Sequence, residues 1–330
     1  MVWPIGQPAG EFYSVSLRSR DLWRELASLG VLKIEECGSF HLAHRDDELA
    51  VLEEFAAKGT HRCELTTASE VTRLSSLANP QDLRGALWSP TELRVDPRTA
   101  SANIAQWLTN QFEVRTAFGT SIQAIEDHTL IAADDRRWTA ERIIVCGGSD
   151  LETLYPQVFE KSGLVLCKLQ MLRSIPQSQR QSNAPHIASG LTLRHYTSFQ
   201  GCPSLASLKS RIASETPELD RFGIHVMASP RPDGTIILGD SHEYGDAITP
   251  FDKNEIDELM LRELRKVIQL PDWSIQERWH GIYAKHPTQP VFEAPVGDNI
   301  YIFTGTGGAG MTMSFGLAEQ AWARWTGETR

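Results

Sequence analysis

The stretch YIFTGTGGAGMTMSFGLAEQ (Tyr301–Gln320) constrains this chain more than any other. A β-branched and aromatic run breaks into Gly305, Gly307, Gly308 and Gly310, then resumes as an apolar helical pattern. Glycines cluster in this way where the backbone needs positive φ or where something must approach it closely. A helix beginning near Met311–Phe315 would aim free amides and its positive dipole end into the turn, which suits an anion or an electron-rich acceptor. The turn is not a phosphate loop, because no Gly-Lys-Ser/Thr follows, and it is not a GxGxxG fingerprint in its usual early position.

The rest of the chain narrows the class. With 330 residues, 41% of them hydrophobic, it can bury a large core. The formal net charge of −10 argues against a nucleic-acid partner. No run is long and apolar enough for a membrane helix, and Met1–Gly10 has no signal-peptide pattern, so a cytoplasmic location is expected. The five cysteines are an odd number, widely spaced and without a CxxC pair, so buried reduced thiols are expected. No histidine or carboxylate spacing fits a metal site, so none is expected.

Patterning gives the order of elements. Ser14–Leu29 reads as a helix stopped by Gly30, Thr67 with Glu70 as a capping box, and Asp96-Pro97 as the start of another helix. From Ser121 three short strands follow, then RIIVCGGSD, which reads as a parallel strand buried on both faces, with Gly147-Gly148 at its ligand-receiving end. Gly163–Gly239 alternates as antiparallel strands, Leu191–Tyr196 among them, with a hairpin at Asp233-Gly234. Gln177–Asn183 reads as an exposed loop, and Asp252 as the cap of a helix ended by Pro271. The expected architecture is a nucleotide-type α/β domain split by an inserted antiparallel domain.

Six of the ten histidines fall between His186 and His286. GDSHEYG sets Asp240, Ser241 and His242 side by side, but strand neighbours face opposite ways and no GxSxG elbow exists, so a hydrolase triad is disfavoured. Basic residues beside these histidines (Lys168, Arg173, Arg194, Lys285) suggest a pocket that selects a small anionic molecule.

RIIVCGGSD, ERWHGIYAKHP and IFTGTGGAGMTMSFGLAE resemble the later segments of the D-amino-acid oxidase, glycine oxidase and sarcosine oxidase superfamily of FAD-dependent amine oxidoreductases. MVWPIGQPAGE, ECGSFHLAHRDDELAVLEEF, LTLRHY and GDSHEYG are similar to a bacterial subgroup associated with aminophosphonate breakdown. The resemblance spans nearly the whole chain. It implies an α/β fold of mixed α+β character: a Rossmann-like FAD domain (residues 1–37, 92–160 and 277–330) with an inserted antiparallel substrate domain (residues 38–91 and 161–276). It implies FAD lying against Gly305, Gly308, Gly310, Met311 and Thr312, with Ile122 beside the adenine, Gly147 and Gly148 near the dinucleotide, and Val2 and Trp3 over the flavin. The activity implied is oxidation of a carbon–nitrogen bond to an imine that hydrolyses to an aldehyde and an amine.

Two departures from the family pattern matter. Where relatives place an arginine after a Gly-Leu pair, this chain has Tyr283 with Lys285 close by, which implies a different anionic head group. A phosphonate fits a pocket drawn from Arg194, His195, Tyr196, His242, Tyr283 and Lys285. Family members also open with a strand, a GxGxxG turn and a helix, whereas this sequence begins about where that unit would end. The resemblance therefore implies a domain without its first βα unit and poor FAD binding by the chain as written; a cofactor-poor remnant or binding protein is the alternative.

Overall fold

The computed structural model describes residues 1–178 and 184–327. Its largest element is a nine-stranded sheet running, edge to edge, through Glu243–Gly245, Val165–Ser174, Ile236–Gly239, Met227–Pro230, His186–Ala188, Ser39–Ala43, Gly85–Ser89 and Glu64–Thr67, with Ile275–Lys285 on the other edge of Val165–Ser174. The pairings are antiparallel except that between His186–Ala188 and Ser39–Ala43. All five residues of Ser39–Ala43 are buried, as suits a central strand covered on both faces. Helices Asp46–Ala57, Leu205–Glu215 and Asn254–Val267 supply Leu52, Phe55, Leu208, Met260 and Leu264 to the core beneath it. Arg211 clamps the first two together, pairing with Asp47 at 2.7 Å and Glu48 at 3.1 Å.

A smaller sheet holds Phe292–Gly297, Ile300–Thr304 and Ile143–Val145, the last two parallel. Three further strands, Ile122–Glu126, Thr129–Ala132 and Arg137–Thr139, form a separate antiparallel sheet. Out of Ile300–Thr304 the chain passes through a 3-10 turn, Gly307–Ala309, into the helix Gly310–Thr326. That helix packs on Glu11–Ser28 so closely that the Gly316 N–H donates to Ser19 Oγ at 3.1 Å. Arg18 pairs with Glu319 across the same seam at 2.8 Å. The result is the mixed α/β fold expected, with the antiparallel sheet beside the glycine-turn unit. No helix among the described residues is long and apolar enough to cross a membrane.

The helices at Glu11–Ser28 and Pro97–Phe112, the Thr67/Glu70 capping box, the Asp96 cap and the hairpin at Asp233-Gly234 all form. Other expectations are corrected. Leu191–Arg194 is a 3-10 helix and no strand, because Thr192 Oγ1 donates to the Ser189 carbonyl at 2.7 Å and offers the backbone a turn in place of a ladder. Asp252 does not cap its helix, whose N-cap is Lys253; its carboxylate meets Lys168 Nζ and His280 Nδ1, each at 2.8 Å. Strand Ile143–Val145 is not buried on both faces, since Ile144 is 38% exposed. Of the free thiols, Cys37, Cys167 and Cys202 are buried but Cys146 is exposed. In the expected loop Gln177–Asn183, Gln177 is buried and donates to the Ile175 and Asp272 carbonyls; residues 179–183 lie outside the described residues.

Candidate active site

A cavity of about 920 Å³ is lined both by the glycine turn and by the large sheet. That is at the upper end of the range for small-molecule sites. At its glycine end Gly305 has φ +78, and a Cβ there would come within 2.6 Å of Leu164. At Gly308 a Cβ would point towards the Tyr283 hydroxyl, 3.5 Å off, into space that glycine leaves open. Helix Gly310–Thr326 begins here with no side chain capping it, so its positive end faces the cavity. Two long-range bonds hold that helix start: the Trp3 N–H donates to Thr312 Oγ1, and Trp23 Nε1 donates to the Met311 carbonyl, both at 2.9 Å. Trp3 lines the cavity, and its buried Nε1–H has no acceptor among the described residues.

These features fit the ring system of a flavin. An uncapped helix start, glycines that leave the wall bare and an orphaned indole donor suit a flat, electron-rich ligand bearing acceptors. The residues in position to hold it are Trp3, Gly305, Gly308, Gly310, Met311 and Thr312.

The far end is built from His195, Tyr196, His225, Asp240 and His242, with Tyr283 and Lys285 between the two ends. Backbone bonds between His225 and Asp240 (3.2 and 3.0 Å) set this end in register. Burial lowers the pKa of His195 and His225 well below the ordinary imidazole value, and that of His242 to about 4, so all three are neutral at pH 7. Burial pushes the Asp240 carboxyl up to about 7, and it also holds the Tyr283 phenol well above its ordinary value. Lys285 makes no ion pair among the described residues, and its ammonium stands 5.6 Å from the Tyr244 ring centre. Arg94, Arg173 and Arg231 also line the cavity, but Glu35, Asp233 with Glu277, and Asp96 neutralise them in turn.

Of the sixteen site residues expected from sequence, eleven line this one cavity: Trp3, His195, Tyr196, His242, Tyr283, Lys285, Gly305, Gly308, Gly310, Met311 and Thr312. The other five do not. Arg194 is turned to the Asp220 carboxylate (3.5 Å) and the Ile224 carbonyl (2.9 Å). Val2 is fully buried in a bridge to Leu93. Ile122 lies in the separate three-stranded sheet, opposite Ala132. Gly147 and Gly148 stand one step behind the turn, where Thr304 Oγ1 donates to the Gly148 carbonyl at 3.0 Å. Sequence reasoning passed over His225 and Asp240 as site residues. The signal was present in the excess of histidines between His186 and His286, but sequence separation hid which of them converge.

Comparison with known proteins matches residues 1–324 to the family described as DAO, FAD dependent oxidoreductase. No curated protein matches the chain. Among solved structures, L-proline dehydrogenase from P. horikoshii is similar with a TM-score of 0.76 at 18% identity, over 98% of this chain and 82% of that one. Glycine oxidase from Bacillus cereus ATCC 14579 gives 0.71 at 15%, over 97% and 82%. Iminodiacetate oxidase from Chelativorans sp. BNC1 gives 0.69 at 18%, over 99% and 84%.

Proposed function

Since this chain belongs to the family of FAD-dependent oxidoreductases, we propose that it oxidises the carbon–nitrogen bond of a small anionic amine, an aminoalkylphosphonate either free or N-alkylated. The product is an imine that hydrolyses to an aldehyde and an amine. Bound FAD supplies the hydride acceptor for the carbon next to the nitrogen. The task left to the protein is orientation and electrostatics.

The observation that carries the substrate class is Lys285. Its side chain lies against Gly307, with Cγ 3.2 Å from where a Cβ would stand there, and its ammonium is free of carboxylates among the described residues. A cation left unpaired in a cavity, inside a protein of net charge −10, is a group kept for an anion. Tyr283 offers a hydroxyl beside Gly308, and the neutral rings of His195 and His242 stand beyond it. Leu169, Met171, Ile237 and Trp279 add apolar surface to the wall. Iminodiacetate oxidase and glycine oxidase, among the structural neighbours, are named for amine substrates that carry an anionic group. The discriminating assay compares N-methyl-2-aminoethylphosphonate, sarcosine and glycine on FAD-loaded protein. A higher kcat/KM for the phosphonate is expected; equal turnover of sarcosine removes the phosphonate assignment.

A further inference from the structure

Three histidines that no sequence spacing connects meet at the far end of the cavity. His195 closes the 3-10 turn Gly190–Arg194, His225 leads into strand Met227–Pro230, and His242 follows strand Ile236–Gly239. One ring nitrogen from each lies within 4.8 Å of the other two. The ring centres stand 3.8, 4.5 and 4.9 Å apart.

Packed in this way, the imidazoles leave polar atoms without partners. His225 is 2% exposed, and neither of its ring nitrogens has a hydrogen bond among the described residues. A buried polar group left without a partner is unfavourable unless a ligand satisfies it. His242 Nδ1 lies 3.1 Å from the Gly223 carbonyl; a carbonyl only accepts, so Nδ1 carries the proton and Nε2 keeps its lone pair. A backbone bond at the second ring nitrogen is how a metal-bound imidazole is held in tautomer and orientation. Asp240 places a carboxyl oxygen 3.3 Å from His225 Nε2, at the edge of the cluster. The cations facing it are Lys285 and Arg194, the latter already paired with Asp220.

We propose that His195, His225 and His242 form a three-imidazole site for one divalent transition-metal ion of the zinc class, with a remaining coordination position open to the cavity. Neutral imidazoles suit zinc, copper, iron and nickel, and three protein ligands with one open position is a known arrangement for a metal that meets a small molecule. Metal–nitrogen distances of about 2.0–2.1 Å need nitrogens roughly 3.3 Å apart, so the rings close by an ångström or so around the ion. The open position faces the space assigned to the anionic head group and would accept one of its oxygens. That last consequence rests on the proposed substrate; the metal site does not.

The test uses FAD-loaded full chain, stripped with a chelator and titrated with Co2+. Retained metal is counted by elemental analysis after dialysis, and the ligand field is read from the Co2+ difference spectrum. One Co2+ per chain, displaced by Zn2+, is the expected result. His225→Gln should bind roughly 100-fold more weakly or worse, since loss of an outer-shell partner alone costs 10–100-fold. His128→Asn, in a turn at φ +62 outside the cavity, should bind as wild type. Circular dichroism verifies each fold, and the less buried His195→Gln replaces His225→Gln if the latter is unfolded. Absence of stoichiometric metal in the wild type, or folded histidine variants with unchanged affinity, overturns the site; so does methylphosphonate binding to the metal-free trio that added metal abolishes. The amine assay, run with and without added metal, keeps the substrate assignment separately testable.

Discussion

His41 shows how much one side chain can set. It is fully buried against Trp3 and Phe199, and neither ring nitrogen has a partner among the described residues. Burial lowers its pKa from 6.5 to about 3. A depressed folded-state pKa means that the unfolded chain takes up a proton that the folded one refuses; stability is therefore lost as pH falls from 6.5 towards 3. At pH 5 the loss is about 2 kcal/mol by linkage. His41→Leu should recover about that amount at pH 5 relative to pH 7.5, as read from urea unfolding at both values. Lys285 belongs to the same scale. Lys285→Met should raise KM for the anionic amine about 10- to 100-fold, the worth of a charged hydrogen bond, with kcat changed far less; a fall in kcat at constant KM would place its role in the chemical step. The departure of Tyr283 and Lys285 from the family pattern drew attention to two residues that do line the cavity. Residue identity misled for Arg194, because a basic letter does not show the carboxylate that already holds it; Asp220 lies 26 positions away in sequence.

At the scale of elements, local codes carried well. Capping residues, the hairpin dipeptide and the strand–glycine–helix passage act within a few residues of one another, so sequence alone displays them. The failures came where a non-local partner decided: Asp252 forsakes the helix start for Lys168 and His280, and Ile144 stands on a face left 38% exposed. Gly316 belongs with these. In sequence it is an unremarked glycine inside a helix, yet a Cβ there would stand 2.5 Å from the Val15 carbonyl oxygen. Gly316→Ala gains about 1 kcal/mol of helix propensity against about 1–3 kcal/mol of overpacking at an unyielding backbone contact. Net destabilisation is expected in chemical denaturation, together with weaker FAD retention, since the same helix begins at the glycine turn. A variant more stable than wild type would show that the helices part without strain.

Across the whole molecule, the composite fold was legible because α/β patterning flanks an alternating middle. The cavity was legible only in part, because it gathers residues from 1 to 313 and no window of sequence contains it. A cavity of this size couples folding to its occupant. FAD at 100 times its Kd should add about 2.7 kcal/mol to the unfolding free energy, visible as a rise in Tm that grows with FAD concentration; a Tm indifferent to FAD would mean that the folded chain does not hold it. The bond from the Trp3 amide to Thr312 carries a further consequence. Its two ends are 309 residues apart, and at about 5–20 residues per second a ribosome needs roughly 15–60 s to deliver the second after the first. Throughout synthesis the nascent chain thus carries half of a binding pocket with nothing to close it. The Trp3 amide has no Thr312 hydroxyl to donate to until the final helix emerges. Chaperone demand should therefore fall on that interval, and shortening the delay by faster translation should raise the yield of native protein.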